Sequence, residues 1–299
     1  MKDFSCFGES SVQIGDAASS SSSSLSATHG GNGGRKGAGQ NQVSCLYQAR
    51  LSGQACVISV TWSKGLSVSV DDACGKCLCK ADAKPWLFSK KKGSKSLAAG
   101  DGKIGIFWDL SGAKFGPGPE PLEGFYVAVM FNREMVLLLG DMKKDAYRKM
   151  GGAVRPALST LFLARKEHIH GKKLYCAKAQ FCDNGRCHDI VIECDSIGLK
   201  DPCLEIRIDK KPVMQVKRLA WKFRGNQTII VDGLPVEVFW DVHSWLFSST
   251  TSNAVFMFQT CPDPDMSMPW NPWMYSHIFR ESQLQGLSFS LILYAWKIE

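Results

Sequence analysis

The chain has 299 residues, 44% of them hydrophobic and 21% charged, which is the make-up of an ordinary globular protein able to bury a sizeable core. No apolar run approaches the roughly 18 residues that a helical bilayer span requires; Met135–Leu139 and Leu291–Leu293 fall well short. The net charge of +8 is unevenly spread, with 31 basic against 18 acidic residues in 44–225 and two against seven in 226–299. A basic body with an acidic end fits internal charge complementarity, or a face for an anionic partner such as phospholipid, nucleic acid or an acidic protein.

The first residues are polar and lack the apolar stretch of a secretory signal. Position 2 is not glycine, and Trp296–Glu299 forms no prenylation box. The expected compartment is therefore the cytosol or nucleus. There the twelve cysteines are expected to be reduced thiols, several of them buried as small hydrophobes.

Residues 1–43 read as a disordered tail. The serine run Ser19–Ser24 and the glycines Gly30, Gly31, Gly33 and Gly34 offer too little apolar surface to offset the entropy of ordering. From Ser44 to Glu299 the pattern is strand after strand. Cys45–Leu51 and Ala55–Trp62 flank Ser52-Gly53-Gln54, and Leu66–Val70 alternates with period two. Further strands are expected at Cys77–Ala81, Trp86–Phe88, Ile104–Trp108, Gly124–Phe131 and Met135–Leu139, with a basic patch at Lys90–Lys95 and a stiff loop at Gly116–Pro121. One short helix is predicted from Met142 to about Met150, capped by Asp141 and ended by Gly151-Gly152. Leu158–Ile169 reads as strand.

The second half repeats the pattern. Lys173–Phe181 pairs with His188–Asp195, and Leu204–Ile208 with Val213–Phe223. Asp232-Gly233, a dipeptide suited to φ > 0, joins Gln227–Val231 to an alternating arm that runs on to Phe247. On that arm Trp240 faces one way, while Asp241, His243 and Trp245 face the other. Ala254–Phe258, a loop rich in Pro, Met and Trp (261–275), and Leu287–Lys297 complete the chain. The expected fold is all-β: an antiparallel meander forming a barrel or paired sheets, with room for two β units in series.

Three groups of residues could carry chemistry. Asp241 and His243, if their side chains meet, would make an oriented general base, or would be hydrogen-bonded groups among Phe239, Trp245 and Phe247. Cys74 and Cys77 have the gap of a zinc knuckle, and Cys182 and Cys187, beside His188, could complete a tetrahedral set. Against zinc, the second pair is spaced too widely, and strand alternation explains Cys77 and Cys79 equally well. Lys210, Lys211, Lys217, Arg218, Lys222 and Arg224 are interleaved with Trp221 and Phe223; on an alternating strand Lys217, Trp221 and Phe223 share one face, and Arg218, Lys222 and Arg224 form a basic one, for an anionic surface or for solvent alone. No nucleophile motif, phosphate loop or dinucleotide fingerprint is present.

Several phrases occur in a fixed order: Phe107-Trp108-Asp109-Leu110-Ser111, Gly118-Pro119-Glu120-Pro121, Leu138-Leu139-Gly140-Asp141, Arg165-Lys166-Glu167-His168, Trp221-Lys222-Phe223-Arg224 and Trp240-Asp241-Val242-His243-Ser244-Trp245. Together they resemble the plant family catalogued as a domain of unknown function, DUF 868, over about 44–299. The resemblance implies a plant protein with an all-β domain and brings no activity, cofactor or catalytic residue with it. The resulting expectation is a non-enzymatic binding module or adaptor without a cofactor. Its partner would be a protein, an anionic surface or an apolar ligand, met by Asp241, His243, Trp245, Lys222 and Arg224. Two other readings stay open: a lipocalin-like carrier with Asp241 and His243 as polar anchors, and a hydrolase built on that pair.

Overall fold

The computed structural model describes residues 39–63, 65–83, 91–99, 102–151, 160–182, 185–195, 202–248, 253–260 and 290–297. Among them lie nineteen strands and two short helices, and no helix is long and apolar enough to cross a membrane. The serine-rich run, Trp86–Phe88, the loop 261–275 and the first residues of the expected last strand lie outside the described residues.

Alternation and turn chemistry build the first half. Strands β1 (Gly39–Leu51) and β2 (Gln54–Trp62) meet at Ser52-Gly53, with φ of 47° and 81°, the pair of left-handed residues that matches strand twist in a two-residue hairpin. β1 thus begins ahead of the expected start at Ser44. β2 and β3 (Leu66–Asp72) bury every second residue, and β4 (Cys77–Ala83) completes the run. A separate four-stranded sheet follows: β5 (Lys92–Ala99), β6 (Gly102–Asp109), β9 (Tyr126–Phe131) and β10 (Glu134–Gly140), with the small hairpin β7 (Lys114–Phe115) and β8 (Pro121–Glu123) beside it. β5 stands where the sequence predicts only the basic patch Lys90–Lys95. It forms because β6 offers it an unbroken eight-residue register, in which Gly93 leaves room for the Trp108 ring.

Helix α1 (Lys143–Lys149) forms where expected but is not capped by Asp141. That carboxylate instead accepts the backbone N–H groups of Gly124 and Phe125, at 2.8 and 3.1 Å. β11 (Leu161–Gly171) then leads into the second half: β12 (Leu174–Gln180), β13 (Cys187–Asp195), β14 (Cys203–Ile208) and β15 (Lys211–Val216) form another four-stranded sheet. β16 (Arg224–Val231), β17 (Leu234–Asp241), β18 (Asn253–Thr260) and β19 (Ser290–Lys297) close the chain. The Asp232-Gly233 turn is formed as expected, with φ of 49° and 81°.

Nine strands make one continuous sheet in the order β16-β17-β18-β19-β11-β1-β2-β3-β4. Among the described residues it is open at β16 and β4, so the architecture is paired sheets and the barrel alternative is corrected. The cross-strand row Val60–Cys45–Arg165–Leu291 shows how the layers stack. Residues opposite one another share a face, and Val60 belongs to one core while Leu291 belongs to the other. Both small sheets therefore pack on the same face of the long sheet, giving two sandwich lobes. The first core joins Ile58, Val60 and Val68 to Ile104, Ile106 and Val129; the second joins Ile190, Ile192 and Ile206 to Val238, Phe256 and Leu293.

The lobes meet where β11 pairs with β19, and that pairing is parallel, contrary to a purely antiparallel meander. The chain leaves β11 to build the second lobe and returns with β19 running the same way. On the core side of this seam, Arg165 donates to both oxygens of Glu120 and, through Nε, to Glu167, which is 1% exposed. On the opposite side His168 stacks on Tyr294 at 4.7 Å and His170 on Trp296 at 6.0 Å. The Trp296 indole N–H donates to His168 Nδ1 at 3.1 Å. Burial, with His170 and Lys166 nearby, holds the His168 imidazole below its ordinary range.

Two outcomes follow from the seam. Arg165→Met takes the guanidinium away from the buried Glu167 carboxylate and should lower unfolding free energy by about 3 kcal/mol in a urea titration. Arg148→Met, which breaks the exposed pair with Asp145, should leave the midpoint unchanged. The second concerns pH. Because the folded state depresses the His168 pKa below its unfolded value of about 6.5, the unfolded chain binds the proton more readily. The resulting stability is whole above that value and erodes as pH falls below it. Melting temperatures between pH 7.5 and 5.5 should fall less steeply in His168→Gln than in the parent; an unchanged slope would refute the assignment.

Candidate functional site

The densest group of expected site residues lies at one end of the second lobe, where the segment after β15 runs beside the end of β17. A strand over Val213–Phe223 is not formed. β15 stops at Val216, Arg218 takes φ of 55°, and Leu219 turns fully inward. Backbone N–H groups of Trp221 and Lys222 both donate to the Arg218 carbonyl, at 2.9 and 3.1 Å, and that of Leu219 donates to Pro202 at 2.9 Å. Lys217, Arg218 and Lys222 therefore sit on a tight turn and Arg224 begins β16, while Lys210 and Lys211 belong to the β14–β15 hairpin, so the expected basic strand face is corrected.

The turn is tied to β17. Gly225 lies opposite Trp240, and a Cβ there would come within 2.5 Å of the indole, so the ring needs the glycine. The Trp240 indole N–H then donates to the Lys222 carbonyl at 2.9 Å, and Val242 N–H donates to Phe223 at 2.9 Å.

The expected strand through Phe247 ends at Asp241, and helix α2 (His243–Phe247) replaces its last turn. Helical rotation undoes the two-residue alternation. Trp240 and Trp245 consequently enter the same core, where Trp245 lies 5.2 Å from Tyr175 and 6.4 Å from Phe256. The Asp241 carboxylate accepts the backbone N–H of His243 at 3.0 Å and the Arg224 Nε–H at 2.7 Å. The imagined Asp241–His243 side-chain dyad is thus corrected: Asp241 shapes the backbone and anchors an arginine. His243 is exposed, with its ring 5.1 Å from Phe223 and 5.2 Å from Phe247. It is no anchor inside a barrel.

Four of the five expected binding residues, Lys222, Arg224, Asp241 and His243, do come together; Trp245 is structural. Around them stand Lys217, Arg218 and Trp221, all exposed, and Arg224 lies 5.6 Å from the Phe223 ring. Trp221 is 84% exposed and Phe247 is 55% exposed.

The cysteine pairs are not united. Cys74 and Cys77 border the β3–β4 turn, whose backbone is organised by the Asp72 carboxylate accepting from Cys74 and Lys76 N–H. Cys182 and Cys187 flank the β12–β13 turn in the other lobe. Among the described residues no three His, Cys, Asp or Glu side chains gather in a way that could hold a metal ion.

One polar cluster was not anticipated. His188 is 2% exposed, and its Nδ1 and Nε2 lie 2.8 and 2.9 Å from Asp209 and Asp232, turn residues of two different hairpins. Both ring nitrogens donate to carboxylates only when both carry protons. Arg186 adds contacts of 3.4 and 3.2 Å to the same two residues. The Asp189 backbone N–H and His188 hold the Asp209 carboxyl below the usual range; Arg186 and His188 do so for Asp232. The cluster staples two turns to β13, and the buried imidazole has no open face for a substrate. Its members are 21 and 44 residues apart in the chain, so no local pattern joins them.

No curated protein and no solved structure matches the chain. A family model does match it, over residues 38–297, and the chain belongs to that family, described as plant protein of unknown function (DUF868).

Proposed function

We propose that the protein is a non-enzymatic binding module that docks an anionic partner on the turn 217–224. The observation that carries this reading is Trp221, 84% exposed on a turn that hydrogen bonds and the buried Leu219 hold rigid. A large ring kept in water on a fixed scaffold is the composition of an interface anchor. Lys217, Arg218, Lys222 and Arg224, all exposed, lie within four residues of it in the chain, and Asp241 pairs with Arg224. Tryptophan flanked by long cations favours an acidic protein segment, because carboxylates can pair with the cations while an apolar side chain covers the indole.

The catalytic reading loses its support with the dyad, since Asp241 spends its oxygens on Arg224 and on the His243 backbone. The carrier reading loses its barrel.

Titration of the whole protein with an aspartate- and glutamate-rich peptide should show binding that weakens about tenfold in Trp221→Ala. Binding should also fall in Lys222→Glu and on raising salt from about 0.05 to 0.3 M. Phosphatidylserine vesicles and a single-stranded oligonucleotide run as parallel probes. Preference for either would overturn the acidic-protein reading, and binding to none of the three would overturn the docking surface itself.

A further inference from the structure

The first lobe carries a concavity that the turn 217–224 does not touch. Where its two sheets meet the seam, a cleft of about 350 Å³ opens beside Glu120. This volume is at the small end of the range for ligand sites. Three aromatic rings line it: Tyr47 from β1, Trp62 from the end of β2, and Phe125 just before β9. Trp62 and Phe125 stand at 87° with centroids 5.6 Å apart, and Tyr47 is braced edge-on by Phe162 at 5.5 Å.

These walls are fixed in advance. The Asp141 carboxylate accepts the Phe125 N–H at 3.1 Å, and Met142 N–H donates to the Phe125 carbonyl at 3.2 Å. Gly140, with φ of 95°, lets that carbonyl approach to a point where any Cβ would be 2.2 Å from it. Arg165 donates to Glu120 at 2.9 Å through Nη1 and again through Nη2, lies 3.7 Å from the Cys45 thiol, and does not itself line the cleft.

The charge balance inside is one-sided. Among the described lining residues Glu120 is the one that carries a charge. Burial pushes the Cys45 thiol up to about 11 and raises the Tyr47 phenol, so both stay neutral near pH 7.

We propose that this cleft binds an alkylated ammonium cation, held against the rings of Tyr47, Trp62 and Phe125 and by the Glu120 carboxylate. Ring faces attract cations through their quadrupole. A methylated ammonium is weakly hydrated, so it can enter an apolar enclosure without stranding N–H donors as a plain ammonium would. A single carboxylate at the base then supplies the counter-charge. The same headgroup chemistry could arrive on a small molecule such as choline or on a methylated lysine of a protein.

The test uses the full chain in isothermal titration with choline and with its uncharged isostere 3,3-dimethyl-1-butanol. Choline should bind at least about tenfold more tightly than the isostere, the size expected of a partly desolvated cation–π contact. Phe125→Leu keeps apolar bulk but removes a ring face, and Glu120→Gln keeps shape but removes charge; each should shrink that preference several-fold. Near-ultraviolet circular dichroism reports whether either variant is still folded. Equal affinity for the two compounds would mean a merely apolar hollow and would overturn the proposal, as would binding of neither. A trimethyllysine peptide binding more tightly than choline would support the proposal with a protein as the source; the reverse order would support it with a small molecule.

Discussion

The structure depends on seven residue pairs between β11 and β19, the parallel seam that turns two β-sandwiches into one molecule. Without that register each lobe would have its own short sheet and a free edge at its centre. With it, one sheet of nine strands spans both cores, and among the described residues β4 and β16 stand at its ends. Both faces of the seam are specified. On the core side a guanidinium is shared between Glu120 of the first lobe and Glu167 of β11; on the other side two imidazoles lie on Tyr294 and Trp296. Parallel pairing is not favoured for its own sake, so side-chain pairs that fit in one register alone carry the specificity. Desolvating Arg165 and Glu167 is expensive, and a well-packed apolar pair could match their stability. What the ionic bridge adds is a fixed point between the lobes, and that point is also what holds Glu120 at the cleft.

Turn residues serve twice in this fold. Asp209 and Asp232 both sit at φ of 49°, as the first residue of a two-residue hairpin. An aspartate tolerates that conformation better than most side chains. Each then offers its carboxylate to His188 on β13. Two local solutions thereby become one long-range contact, which fixes how the small sheet of the second lobe lies against the hairpin β16–β17. Asp141 follows the same economy. Released from capping α1, it holds Gly124 and Phe125, and with them an aromatic wall of the cleft.

Much of this architecture was legible because alternation is a local signal. Leu66–Val70 and Leu204–Ile208 bury every second side chain as their sequences demand, and Asp232-Gly233 turns as its chemistry requires. The departures occur where tertiary contacts override the local period. Leu219 is drawn into the core and bends an apparent strand into a turn. Trp245 is drawn into the same core as Trp240, which only a helical turn between them allows. Neither event leaves a mark in a window of ten residues. The parallel seam, the His188 clamp and the cleft were out of reach for a simpler reason. Tyr47, Trp62, Glu120 and Phe125 come from separate elements, and their meeting is a property of sheet stacking.

The two surfaces of interest share one construction. In each, an aromatic group is set beside a strand end by hydrogen bonds outside the sheet ladder: the Trp240 indole N–H and the Val242 backbone N–H for the turn bearing Trp221, the Asp141 carboxylate for Phe125. Removing the Trp221 ring would leave the turn anchored, because Leu219 and the Arg218 carbonyl hold it from below. A side chain so exposed contributes little to folding, yet the backbone beneath it is fully specified. The scaffold thus fixes the backbone of the turn and has no need of the ring it carries. The two differ in the charge nearby, with exposed cations flanking Trp221 along the chain in one lobe and Glu120 lining the aromatic cleft of the other.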